Sequence, residues 1–349
     1  MPPAESEILA IRTATALADG GHLACIRVSG EGAYEAVDRV CPTELILQDG
    51  QMRATLLLHD DARVFADVYV CREEDSFFLL AEGCTPDGLE AYLRGHGLGG
   101  PDAALERFDG THAALSLHGP YAWELLTAWL GPDAAGLPYL AFFRCGGIVC
   151  FRGGKTGEFG YDVLVPRDEL AAEVARLEDL GKSFGLRRVG LDAVDQCSLE
   201  NGFFVVRQVG SAGLTPLELG LQWRLSYRKQ GVASEALRAQ RQAGAARRVT
   251  WIVAPAEVRP ADAVLFGERP VGSVLAAGFS SVLGSWVAVA VLDIAYAHAG
   301  IDRYAVARGE ARVPVRTAAP PLLNNRSLYV SPQRHTFAER EATAFPPLA

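Results

Sequence analysis

Lysine is nearly missing from this chain of 349 residues: only positions 155, 182 and 229 carry it, so arginine supplies almost all of the positive charge. Positive charge is also the minority, with 33 basic against 42 acidic residues and a net charge of −9. That balance argues against nucleic acid as the main partner, because a polyanion needs a basic face. Cysteine offers no framework. The seven residues at 25, 41, 71, 84, 145, 150 and 197 are odd in number and include no CxxC pair. Reduced, mostly buried thiols in a cytoplasmic protein are expected, with neither a disulfide scaffold nor a metal site. No basic start leads into a long apolar run, so a signal peptide is not expected. The most apolar stretch, 285–297, is broken by Asp293 and is too short to span a bilayer, so no membrane partner is expected. Internal repeats are lacking as well.

What is present is an ordinary globular mixture, 49% apolar and 21% charged, long enough for two or three domains. HLACIRVSG (22–30) reads as a strand, and EGAYEAVDRVC after it sets Tyr34, Val37 and Cys41 on one helical face. RVFADVYVC and SFFLLAEG read as a hairpin turning on REED. TPDGLEAYLRGHG (85–97) opens a helix with Thr85 as N-cap and Pro86 at the first helical position. The spacing of Leu170, Val174, Leu177 and Leu180 predicts another helix over 167–181, and LDAVDQCSLENG (191–202) a shorter one. Strand and helix alternate in this way as far as an arginine-rich helical connector, 228–248. Beyond it only strands are read, at 249–254, 263–266, 270–276, 286–292, 302–307 and 311–316, which describes a small barrel or sandwich. The segment from Pro320 onward carries little pattern.

One stretch is unusual. GGKTGEFG (153–160) packs four glycines into eight residues just before the strand GYDVLVP. A plain turn needs one or two glycines; this density suits positive φ or a close approach by a ligand or another strand. Taken alone, a hairpin loop is the favoured reading.

Several motifs occur in order. GKTGEFGYDVLVP resembles the GYTGE-type segment of the glycine cleavage T-protein (aminomethyltransferase) family. SLENG (198–202) is similar to that family's LEAG motif, TPLELGLQW (215–223) to TPLEAGLGW, and DGGHLACIRVSGEGA (19–33) to its DxSHxG opening. ALSLHGP (114–120) resembles its AxxQGP turn, and 271–292 a segment of its barrel. The resemblance covers about residues 8–318.

It implies an α+β cloverleaf of three domains: two ferredoxin-like α+β portions and a small C-terminal β-barrel. The boundaries expected are 1–50 with 140–230, 51–139, 231–320 for connector and barrel, and an irregular 321–349. It further implies tetrahydrofolate, or its 5-methyl or 5,10-methylene form, in a central channel. By position in the motifs, Glu200 falls on the pterin-binding glutamate and Asp67 on the catalytic aspartate beside folate N10. Glu82 and Trp223 line the folate channel, and Glu158 borders it in a structural role. Arg224, with Arg187, Arg188 and Arg228, is a candidate for the glutamate tail of a folate.

The departures from the family pattern are equally informative. Lys155 replaces a tyrosine, Glu82 an asparagine, Ala66 the first of two aspartates, Ala54 a second tyrosine, and Val206–Arg207 a Tyr-Gly pair. The scaffold is kept while the reacting end is rebuilt. The expectation is therefore a one-carbon transferase acting on a small molecule, not the housekeeping reaction, with a lipoyl carrier protein an unlikely partner. Lys155 and Arg207 are expected to converge beside the channel and bind an anionic group of the substrate. A non-catalytic folate-binding protein and a folate-independent enzyme on the same scaffold are the alternatives.

Overall fold

The computed structural model describes residues 3–349, and its strands gather into three sheets. One has six strands in the order Leu186–Arg188, Thr15–Asp19, His112–His118, Gly160–Pro166, Ile148–Gly153 and Phe142–Cys145. A second has five, in the order Met52–Leu58, Val64–Glu73, Ser76–Glu82, Leu23–Ser29 and Ala104–Arg107. The third is a closed barrel of six strands between Arg247 and Ala318. Each of the six barrel segments read from the alternating pattern forms a strand, with limits moved by a few residues.

The two α+β portions interleave more than expected. Leu23–Ser29 pairs with Ser76–Glu82 and Ala104–Arg107, so it belongs to the second sheet despite lying before residue 50. His112–His118 pairs with Thr15–Asp19 and Gly160–Pro166, so it belongs to the first sheet despite lying before residue 139. Strand pairing is decided by non-local partners, and a contiguous reading of the sequence assigns each of these strands to its chain neighbours.

Helices cover the outer faces. Ala33–Val40 and Pro86–Gly95 bury Val37, Leu89 and Leu93 against the second sheet. The cap of the second helix is as expected, with the Thr85 side chain accepting from Gly88 N at 3.1 Å. Ala122–Leu130 and Leu170–Gly181 cover the first sheet through Leu125, Trp129 and Leu177. The inner faces of the two sheets meet through Phe78, Leu80, Phe142, Phe151 and Leu164. Where that apolar contact ends, the sheets diverge around a polar cavity.

The glycine-rich loop now has an explanation. A Cβ on Gly160 would lie 2.7 Å from Gly153 O, so the loop closes on itself by direct backbone approach. Gly157 has φ +84°, and a Cβ there would sit 2.6 Å from the side chains of Asn201 and Asn325. The second residue belongs to the C-terminal segment, which wraps back over the loop. Glu158 fixes it there by accepting from Arg326 N (3.0 Å), Ser327 N (2.7 Å) and Ser327 Oγ (2.7 Å). Val330 and Phe337 then bury themselves against Tyr121. Among the described residues no helix is long and apolar enough to cross a membrane.

Candidate functional site

The cavity between the two sheets encloses about 600 Å³ of space when its open mouth is counted. Its walls come from the two sheets, the glycine loop, the helix Leu191–Asn201 and the segment carrying Val205 and Arg207. The second sheet contributes Asp67, Tyr69 and Glu82, and the first contributes Ser116, His118 and Asp162 with Lys155 from the glycine loop. The helix Leu191–Asn201 contributes Leu191, Val194, Asp195 and Ser198, a spacing that marks one helical face.

Asp67 and Glu82 are direct cross-strand partners in the hairpin, so their side chains project on one face. Two carboxylates opposite each other repel. Lys155 resolves the conflict: its Nζ lies 2.7 Å from Asp67 Oδ2 and also contacts Glu82. Arg224 Nη1 stands 2.5 Å from Asp67 Oδ1. On the other side of Glu82, Arg207 contacts both Glu82 and Asp195. The result is one chain of alternating charge: Arg224, Asp67, Lys155, Glu82, Arg207, Asp195. Burial alone would push the Asp67 carboxyl up, but Lys155 and Arg224 outweigh it and hold the group below the usual carboxylate range. Asp67 is therefore an anion at neutral pH, already flanked by two cations.

The opposite wall carries two histidines beside Ser116 and Asp162. His118 is 3% exposed, and neither of its ring nitrogens has a hydrogen-bond partner. His22 Nδ1 is likewise unpartnered. Burial, and then the neighbouring His22, lowers His118 from 6.5 to about 4. Burial followed by Arg207 and Lys155 does the same to His22. This has a consequence for stability. The unfolded chain takes up a proton on residue 118 near pH 6.5, the folded chain only near pH 4, so stability is full above 6.5 and is lost as pH falls between those values. His118 alone is expected to remove roughly 2 kcal/mol by pH 5, at about 1.36 kcal/mol per pH unit. Urea unfolding at pH 7 and pH 5 checks this: His118→Leu should show a shallower loss, and equal slopes would refute it.

A second, apolar cleft lies on the far side of Val205 and Arg224, lined by Phe203, Phe204, Trp223 and Trp251 among others. Trp223 is 67% exposed and stacks on the Arg224 guanidinium at 4.8 Å. Its expected place near the channel thus becomes the rim of this outer cleft.

Of the expected site residues, the structure brings Asp67, Glu82, Lys155 and Arg207 together in one cavity, with Arg224 behind Asp67. Arg224 is only 7% exposed and paired with Asp67. Arg187, Arg188 and Arg228 are exposed and do not line the cavity. Glu158 is off the cavity and holds the C-terminal segment. Glu200 does not line this cavity. Two residues beyond Ser198, it is turned about 200° around the helix and points away from the cavity. It is fully buried, its Oε2 lies 2.5 Å from Arg12 Nη2, and its Oε1 accepts from Gln196 Nε2 at 3.2 Å. Its carboxylate is not presented to a ligand in the cavity.

The residues missed by sequence reasoning are Arg12, Asp195, His22 and His118. The two histidines stood inside quoted motifs, HLACIRVSG and ALSLHGP, and their apolar surroundings were the available signal. Arg12 gave none. Among the described residues no cluster of His, Cys, Asp and Glu is arranged to hold a metal ion.

Comparison with known proteins agrees with this architecture. The GCVT N-terminal domain family matches residues 1–229, and the Glycine cleavage T-protein C-terminal barrel domain matches residues 247–324. An aminomethyltransferase of Chlorobaculum parvum is 31% identical over 227 residues, 62% of this chain and 62% of that protein. One from Caldanaerobacter subterraneus is 25% identical over 304 residues, covering 84% and 81%. The crystal structure of the glycine cleavage system aminomethyltransferase T from Bartonella henselae shares the fold, with a TM-score of 0.80 over 92% of this chain and 89% of that one, at 24% identity. Two domain matches in the right order, over a three-sheet architecture of the same shape, place the chain in the glycine cleavage T-protein family.

Proposed function

We propose that this protein is a tetrahydrofolate-dependent one-carbon group transferase whose second substrate is a small molecule with an anionic group, and that an aminomethyl arm on a lipoyl carrier is not its natural donor. The observation that carries the reading is the rebuilt cavity. Asp67 is retained and buried beside Lys155 and Arg224. Around it an asparagine and a tyrosine of the family pattern have become an ion pair, Glu82 and Lys155.

Tetrahydrofolate would supply the nitrogens that carry the one-carbon unit. The unpartnered nitrogens of His22 and His118 and the aromatic cleft beside Arg224 suit a flat polar heterocycle with an aryl extension. Within this chain, Asp67 supports positive charge developing on a nitrogen as its bond to carbon weakens, and it does so as a preformed anion. Lys155 and Arg207 meet at Glu82, and an incoming carboxylate or phosphate competes with Glu82 for both. A lysine gives such a group a point charge and an arginine a two-pronged fork.

Two measurements test this. Calorimetry should show tetrahydrofolate binding to the purified protein, while an aminomethylated lipoyl carrier should yield no folate-bound one-carbon unit. Efficient turnover with the carrier would overturn the substrate assignment, and failure to bind folate would favour folate-independent chemistry on this scaffold. Lys155→Ala is expected to raise the substrate KM and to move the acidic limb of the pH–rate profile upward by about 1–3 units, since it removes one of the two cations that hold Asp67 low. An unmoved limb would mean that Asp67 does not govern it.

A further inference from the structure

One carboxyl of the cavity stands outside the chain of alternating charge. Asp162, on the strand Gly160–Pro166, is the direct cross-strand partner of Ser116, and both side chains line the cavity. Ser116 Oγ donates to Asp162 Oδ1 at 2.6 Å. Among the described residues Asp162 has no other hydrogen bond and no ion pair, so Oδ2 is left over. Asp67, on the other sheet, is the reverse case, with Lys155 on one oxygen and Arg224 on the second.

The groups that face Asp162 come from each element around it. Tyr69 and Cys71 approach from the second sheet and Cys150 from the neighbouring strand Ile148–Gly153; burial raises all three, so they stay uncharged. His118, two residues beyond Ser116 on the same strand face, is lowered to about 4 and is neutral at pH 7. Lys155 is the charge that acts on Asp162. Burial raises the Asp162 carboxyl, and Ser116 and Lys155 offset only part of that. Two aspartates of one cavity are thus pushed in opposite directions, the arrangement by which carboxylates divide into acid and base. An anionic group of the substrate drawn to Lys155 would cancel the charge that favours ionised Asp162.

We propose that Asp162 is the proton-holding carboxyl of this cavity, and that an anion bound at Lys155 loads it, so that anion and proton enter together. The coupling is reciprocal: the protonated carboxyl favours the anion as much as the anion favours the proton. This rests on the anionic-substrate reading above.

Acetate is the probe, titrated by calorimetry at pH 7 in Tris and in HEPES, whose different heats of ionisation report proton uptake. The wild type should take up protons on binding, and should bind acetate about fivefold more tightly at pH 6 than at pH 8. Asp162→Asn, which imitates the protonated form, should abolish the uptake and bind at pH 8 as the wild type does at pH 6. Asp195, raised to about 6 and in contact with Arg207, is the competing proton site. Asp195→Asn should keep most of the uptake; if it abolishes the uptake and Asp162→Asn does not, the proposal is overturned. Infrared spectra of the ligand-free protein give a second readout. They should show a protonated carboxyl band titrating above the ordinary aspartate range, missing from Asp162→Asn. Its midpoint should move upward in Ser116→Ala, which loses the one hydrogen bond to the carboxylate. A band that is absent from the wild type, or unchanged in both variants, overturns the proposal. If acetate does not bind to the wild type, the anionic-substrate reading falls and the coupling with it, while the band still decides whether Asp162 holds the proton. Should Asp162→Asn not fold, the midpoint in Ser116→Ala decides.

Discussion

Arg12→Met is expected to destabilise the protein by roughly 3–5 kcal/mol, the largest stability effect foreseen for any single substitution here. Arg12 is fully buried. Its guanidinium lies 2.5 Å from Glu200 and 3.7 Å from Glu158, and it donates to Thr156 O (2.6 Å), Asn325 Oδ1 (3.1 Å) and Cys197 O (3.1 Å). Methionine fills much of the volume but leaves two buried carboxylates without a cation, and that uncompensated charge is what costs the stability. The sign with pH follows. Burial already raises Glu158, against the lowering effect of Arg12 and of its hydrogen bonds to 326 and 327. Without Arg12 it rises further, so the deficit is greatest at high pH and shrinks as the carboxyl takes up a proton. Urea unfolding at pH 8 and pH 6 measures both points. Adding Glu200→Gln should return part of the loss, and a cost below 1 kcal/mol would show that the cluster is solvated.

Asp67→Asn is expected to slow turnover by about 10²–10⁴ while the protein stays folded. The amide keeps the shape of the carboxylate but cannot stabilise a nitrogen that becomes positive. Lys155 keeps Glu82 as a partner, so folding is largely spared. Arg224 loses its ion pair, and a small fall in melting temperature should accompany the kinetic loss. Steady-state turnover with folate affinity measured in parallel separates the two. A wild-type rate would reduce Asp67 to a charge partner of Lys155 and Arg224.

How much of this was legible beforehand follows from where the information lies. The barrel strands could be read from the chain because each announces itself by alternation, although three of the six pairings join non-consecutive strands: Arg247–Ala254 with Ser285–Asp293 and with Ala311–Ala318, and Ala263–Phe266 with Tyr304–Arg308. Leu23–Ser29 announces itself just as well, yet its partners lie some fifty and eighty residues on, and no local pattern names them. At the site, motif position located Asp67, Glu82, Lys155 and Arg207. For Glu200 the motif fixes a position along the helix but not what the facing helix Glu5–Thr13 brings; Arg12 sits 188 residues away. One signal was present and unused. Glu82 and Lys155 depart from the family pattern with opposite charges, and two such departures lining one channel compensate each other.

The clasp formed by Arg12, Glu158 and Asn325 also sets an order of events during synthesis. Arg12 is among the first residues made, and its partner Asn325 follows 313 residues later. At about 5–20 residues per second, that interval is roughly a quarter of a minute to a minute. Throughout it the nascent chain can build its sheets and helices, but Glu158 lacks the backbone donors of Arg326 and Ser327, and the guanidinium lacks its last acceptor. The helix Glu5–Thr13 can already seat Ile8 and Ile11 against Ala193, Val194 and Cys197, so what waits for the far end is the last acceptor of its guanidinium. The clasp itself is complete only when the far end of the chain arrives.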